Sequence, residues 1–160
     1  GVYRVTEALE RALVRAGLVD THERWYPGRP VMITENNHEL GLYNGDVGIV
    51  LRDPAAGGQL RVFFPVHEGA MHGYLPARLP AHETAWAITV HKSQGSEYDE
   101  VLLLLPETAT ALVTRELIYT GVTRARRAVT IAADRGTLAT GIARRVARRS
   151  GLVERLWDRA

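Results

Sequence analysis

Two short runs hold most of the residues suited to handling phosphate. The first is Thr89-Val90-His91-Lys92-Ser93-Gln94-Gly95-Ser96-Glu97. In a loop that follows a parallel strand, its glycine would let backbone amides approach a phosphate, with Ser96 and Glu97 offering polar side chains beside it. Thr89, His91, Lys92 and Ser93 cluster at the end of that strand, where ligands of open α/β sheets bind. The second run, Tyr119-Thr120-Gly121-Val122-Thr123-Arg124-Ala125-Arg126, places Arg124 at the end of a helical stretch. An arginine fixed on a helix and pushed into a gap between domains can stabilise charge on a transferred γ-phosphoryl group, worth roughly 10³ to 10⁵ in rate. The plainer reading is a surface arginine favourable with the helix dipole. His91 has no second histidine or carboxylate at ligand spacing, so no metal site is expected. No G-x-x-x-x-G-K-[S/T] run occurs and Lys92 is the sole lysine, so the chain lacks the phosphate cradle and magnesium ligand of a complete NTPase.

The elements that must position these residues can be read from periodicity. Val5, Leu9, Leu13 and Ala16 predict a helix from about Thr6 to Gly17, and Val31–Thr34 reads as a buried strand after Pro27-Gly28-Arg29-Pro30. From Glu35 to Pro80 short β-like pieces alternate with turn signals such as Asn44-Gly45-Asp46, which predicts a small β-barrel leaning on its surroundings. Beyond Pro80, strands at 85–90 and 101–105 (fully buried), a helix at 114–124, a strand at 128–132 and a helix at 135–149 predict a parallel α/β sheet. Leu138, Ile142 and Val146 form the inward stripe of the last helix, leaving Arg144, Arg145, Arg148 and Arg149 outward. Leu152, Leu156 and Trp157 suggest a short terminal helix docking back.

Composition sets the outer limits. With 160 residues, 46% hydrophobic and 24% charged, the chain fits one soluble globular domain or one carrying a small insertion. The longest apolar run, 101–105, stops at Pro106, far short of the roughly 20 residues of a membrane helix. The absence of cysteine excludes disulfides and thiolate chemistry and fits a reducing compartment. A net charge of +2 does not by itself announce a nucleic-acid binder, and the arginine bias fits a GC-rich genome. Starting at Gly1 without Met, the chain reads as a piece of something longer. Phe63, Phe64, Tyr74 and Trp86 could stack bases, but their alternating placement favours a core role.

The first run resembles motif V and the second motif VI of superfamily 1 helicases. Their order is similar to the C-terminal part of the RecD family, the alpha subunit of exodeoxyribonuclease V, a superfamily 1B DNA helicase. Gly28-Arg29-Pro30-Val31-Met32-Ile33 and Gly41-Leu42-Tyr43-Asn44-Gly45-Asp46-Val47-Gly48 are similar to the segment leading into that family's SH3-like insertion. The resemblance implies an α/β fold. A second RecA-like (P-loop NTPase-type) motor domain with a parallel sheet would span residues 1–34 and 81–160, interrupted by a small SH3-like β-barrel insertion at 35–80.

The same resemblance implies an ATP-dependent 5′ to 3′ DNA helicase acting in double-strand break repair and recombination. ATP and Mg²⁺ would serve the full-length enzyme, with Mg²⁺ held by an N-terminal RecA-like domain outside this sequence, and the piece alone would not hydrolyse ATP. Arg124 would act on the γ-phosphoryl group, and Gly95, Ser96 and Glu97 would meet the nucleotide. Thr89, His91, Lys92 and Ser93 would contact the backbone of single-stranded DNA without reading sequence, and Asn36 and Asn37 would touch the strand from the insertion. Implied partners are the N-terminal RecA-like domain of the same parent chain and the RecB and RecC subunits, in the cytoplasm. Arg126 and Arg127 read as solvated or interface charge. Two alternatives stay open: a stand-alone DNA- or partner-binding module, and the same domain of a RecD2-like or conjugative-relaxase helicase.

Overall fold

Val2, Val5, Leu9 and Leu13 lie along one helical face, and helix α1 runs over Val2–Arg15. It begins a turn before the expected start at Thr6, with Gly1 as a cap that offers no side-chain acceptor, so the apolar periodicity outweighs the missing cap bond. Its end is as expected. Gly17 takes φ +69°, its N–H donates to the Val14 carbonyl, and Leu18 N–H donates to the Leu13 carbonyl, a Schellman stop. The computed structural model describes residues 1–66 and 69–146 and divides into two units, residues 1–92 and 93–160.

After α1, the first unit is a five-stranded antiparallel sheet. Its strands are β1 (Pro30–Ile33), β2 (Val47–Asp53), β3 (Gln59–Pro65), β4 (Met71–Tyr74) and β5 (His82–Thr84), in the order β4-β3-β2-β1-β5. Alternate residues point to one face, so Val31, Ile33, Val50, Val62 and Phe64 meet there with Leu42 to form the buried core. Between β2 and β3, Asp53 accepts from Ala55 N–H and Gly57 turns left-handed, which closes the hairpin.

This sheet redraws the expected division of the chain. Residues 31–34 were expected beside the parallel strands, apart from an insertion at 35–80. Instead β1 hydrogen-bonds to β2 on one side and to β5 on the other, so both flanks of the insertion are built into its own sheet. The expected strand at 85–90 is likewise absent. The backbone there is irregular, with Ala85 N–H donating to the Pro30 carbonyl and the Trp86 indole N–H donating to the Tyr26 hydroxyl at 3.0 Å. β5 ends where that segment begins, and it is antiparallel to β1.

The second unit holds β6 (Tyr98–Leu104), α2 (Arg115–Val122), β7 (Ala125–Ala132) and α3 (Arg135–Ala143). β6 and β7 pair in parallel, Val101 opposite Val129 and Leu103 opposite Ile131, and α2 packs against both. The expected parallel pair therefore exists, but it joins 98–104 to 125–132. Thr114 caps α2 by accepting from Leu117 N–H, and Asp134 caps α3 by accepting from Thr137 N–H.

Two further expectations are corrected here. β6 is not fully buried: Leu103 is, whereas Leu102 is 61% and Leu104 46% exposed, because helices cover one face of this two-stranded sheet. The inward side of α3 is Thr137 and Gly141 rather than the Leu138, Ile142 and Val146 stripe, and Ile142 and Val146 are exposed. A Cβ on Gly141 would come within 2.7 Å of Val113 Cγ1 and 2.8 Å of Ile118 Cδ1, so close approach selects that face. The chain turns extended at Arg144, whose guanidinium bonds the Thr110 carbonyl instead of facing outward, while Arg145 is exposed. Arg148, Arg149 and the expected helix near Leu152, Leu156 and Trp157 lie outside the described residues.

Candidate functional site

In the second unit, the parallel pairing of β6 with β7 brings the two sequence runs together. Tyr98 N–H donates to the Arg124 carbonyl at 2.8 Å, which sets the loop before β6 directly against the end of α2. Within that loop Ser96 N–H donates to the Ser93 carbonyl at 3.1 Å, and Gly95 takes φ +87°. A Cβ on Gly95 would meet nothing within 4 Å, so the glycine is required by backbone conformation and not by crowding. Its surroundings are open to solvent, as an anion-binding loop needs.

Arg124 is half-buried and held at each nitrogen. Nη1 donates to the Ser96 carbonyl at 3.1 Å, Nε to the Thr120 carbonyl at 3.1 Å, and Nη2 to Thr123 Oγ1 at 3.3 Å. Thr123 in turn donates its hydroxyl hydrogen to the Thr120 carbonyl at 3.2 Å. These three bonds account for three of the five N–H donors a guanidinium carries, and its geometry suits a planar or tetrahedral oxyanion. Glu97 pairs with Arg126, Oε2 to Nε 3.0 Å, with both side chains more than half exposed. Of the four residues expected on one ligand, Ser96 and Arg124 are bonded to each other, Gly95 and Glu97 flank Ser96 in the loop, and Glu97 pairs separately with Arg126. Sequence reasoning missed Thr120, Thr123 and the Arg126 pairing. The Thr120 to Arg124 spacing of one helical turn was a visible signal for the first of these.

In the first unit, Thr89, His91 and Lys92 are exposed. Thr89 Oγ1 accepts from Lys92 N–H at 3.3 Å, and Lys92 Nζ donates to Glu83 Oε1 on β5 at 2.8 Å. Ser93, which opens the second unit, is 6% exposed, so its hydroxyl does not stand on the surface with the others. Asn36 and Asn37 have local structural work: Asn36 Oδ1 accepts from Asn44 N–H at 2.8 Å and Asn37 Oδ1 from Leu40 N–H at 3.0 Å. Asn37 also exchanges backbone bonds with Leu42. Phe64 is in the core, and the Tyr74 hydroxyl donates to the Leu40 carbonyl. Among the described residues no group of three or more His, Asp or Glu could hold a metal ion, and no helix is long and apolar enough to cross a membrane.

Comparison with known proteins follows this geometry. Residues 84–132, which contain both runs, match the UvrD-like helicase C-terminal domain family. The chain is 45% identical over 134 residues to the RecBCD enzyme subunit RecD of Haemophilus influenzae, covering 84% of this chain and 19% of that protein. It is 36% identical over 131 residues to the ATP-dependent RecD2 DNA helicase of Deinococcus radiodurans, covering 81% of this chain and 18% of that one. A Pif1 helicase from Bacteroides, solved in complex with ADP-AlF3 and ssDNA, aligns over 82% of this chain and 34% of its own at 21% identity and a TM-score of 0.46. The chain spans about a fifth of the length of its RecD relatives. With RecD similarity across more than four-fifths of its length and a match to the UvrD-like helicase C-terminal domain family over residues 84–132, the chain belongs with the RecD sequences.

Proposed function

We propose that this chain is the second RecA-like motor domain, with the antiparallel sheet as its SH3-like insertion, of a RecD-type ATP-dependent 5′ to 3′ DNA helicase. The parent protein would work with RecB and RecC in exodeoxyribonuclease V, in double-strand break repair and recombination. The observation that carries this reading is the Arg124 Nη1 bond to the Ser96 carbonyl, since it sets a guanidinium beside an open, left-handed glycine loop.

In the intact enzyme ATP binds between this domain and an N-terminal domain that supplies the Walker residues and holds Mg²⁺. Gly95 presents its backbone N–H and Ser96 its side-chain hydroxyl to the nucleotide phosphates, and the Glu97 carboxylate is steadied by Arg126. Arg124 meets charge developing on the γ-phosphoryl oxygens as the cleft closes, which stabilises the transition state more than the ground state. Thr89, His91 and Lys92 hold the phosphate backbone of one DNA strand, and Asn36 and Asn37 touch the strand from the insertion. Cycles of closure and release move the strand by shifting the population between states of different affinity. The 160-residue piece by itself is not expected to hydrolyse ATP.

The test is single-strand-stimulated ATP hydrolysis by the full parent chain, wild type against Arg124→Ala, with folding and nucleotide affinity checked in parallel. A loss of about a hundredfold or more in kcat with binding retained is expected. Unchanged turnover would reduce Arg124 to scaffold and leave a DNA- or partner-binding module as the reading. Co-purification with RecB and RecC separates the RecD assignment from a RecD2-like one.

A further inference from the structure

Lys92 carries the sole side-chain ammonium of the sequence, and its charge is already answered. Its Nζ lies 2.8 Å from Glu83 Oε1, with the two side chains 41% and 25% exposed. Both ends of this pair are anchored. Glu83 sits in β5, where it is paired with Met32 of β1, and the Lys92 backbone N–H is bound by Thr89 Oγ1. The pair is therefore fixed by the sheet edge on one side and by a tight turn on the other. An ammonium has three donors, and the carboxylate occupies one direction while the head group remains solvent-accessible.

We propose that Glu83 is a positioning residue that competes with nucleic-acid phosphate for Lys92. It holds the ammonium in place before the strand arrives and reduces the net attraction the strand meets. Strand binding then exchanges a carboxylate oxygen for a phosphate oxygen, or shares the ammonium between them, so the contact is weakened and readily reversed. A contact that must be made and released in every cycle benefits from such a competitor. This inference rests on the reading of Lys92 as a strand contact.

The experiment measures binding of the full parent chain to a fluorescent oligo-dT across a salt series, without nucleotide, for Lys92→Ala, Glu83→Gln, Glu83→Asp and the Glu83→Gln/Lys92→Ala double variant. Lys92→Ala should weaken binding and shallow the slope of log K against log salt by about 0.7. Glu83→Gln should tighten binding about two- to fivefold at low salt, Glu83→Asp should stay near wild type, and the double variant should match Lys92→Ala. If Lys92→Ala weakens binding but Glu83→Gln leaves it unchanged or weakens it, the competitor role is overturned while the Lys92 contact stands. If the tightening persists without Lys92, Glu83 acts through another group and the proposal is overturned. If Lys92→Ala changes nothing, the strand contact itself fails and the inference with it. Thermal unfolding of each variant separates loss of fold from loss of contact, and Glu83→Asp keeps the charge should Glu83→Gln fold poorly.

Discussion

Arg124 is steadied by a hydroxyl that the sequence pattern did not single out. Thr123 accepts from its Nη2 and donates to the Thr120 carbonyl, to which Arg124 Nε also donates, so guanidinium, hydroxyl and helix-end carbonyl form a closed ring of three bonds. Removing the hydroxyl leaves the guanidinium charge intact but frees it to rotate. Thr123→Val in the full parent chain should therefore lower kcat for ATP hydrolysis about threefold to tenfold with nucleotide affinity unchanged, and Thr123→Ser should restore it. A purely structural role for Thr123 would move stability without this kcat-only signature. The glycine loop and Arg124 could be singled out as candidates because glycine and arginine carry their chemistry in their type. Their supporting partners were not, since the Ser96 to Arg124 bond depends on which strands pair, and pairing is a long-range outcome.

At the scale of elements, α1 is tied to the rest of its unit through Tyr26. The buried hydroxyl donates to Glu10 Oε1 at 2.5 Å and accepts from the Trp86 indole at 3.0 Å. Burial, reinforced by the Glu10 carboxylate and opposed by the Trp86 donor, pushes the Tyr26 phenol up from 10.0 to about 12. Because the folded state keeps this proton more tightly than the unfolded chain, its contribution is complete below pH 10 and is lost as pH rises through about 12. Alkaline unfolding followed between pH 9 and 12 should show wild type losing on the order of 2 kcal/mol that Tyr26→Phe does not lose. Strands whose flanks carry turn residues were legible, as β2 and β3 are. The 85–90 segment was not: its nearly continuous apolar run reads like a buried strand, yet Trp86 turns to the Tyr26 hydroxyl instead. Nine extended residues would reach about 30 Å, so the bond between Glu83 and Lys92 itself requires the chain to double back.

The whole molecule is two units with different kinds of sheet, and each shows a different completeness. In the first, five strands share a buried core around Val31, Ile33, Val50, Val62 and Phe64. Among the described residues of the second, β6 and β7 form a two-stranded sheet on which Leu102 and Leu104 of β6 are exposed. Exposed neighbouring leucines on a strand favour self-association. The Leu102→Glu/Leu104→Lys double variant of the 160-residue chain should bind less of a hydrophobic dye and remain soluble at higher concentration, with unfolding stability changed by about 0.5 kcal/mol or less per site. The α/β character and the order of β6, α2, β7 and α3 were readable from periodicity, while the boundary between the units was not. That boundary, between Lys92 and Ser93, falls inside the run that reads as one motif.

Arg124 contributes to this unit in two separable ways. Its side chain holds Ser96, but its carbonyl receives Tyr98 N–H and so starts the register of the parallel strands. Alanine would erase the first and keep the second. Under the proposed function, an allele carrying that change should thus accumulate to normal amounts while ATP hydrolysis fails, which separates the loss of chemistry from the loss of fold.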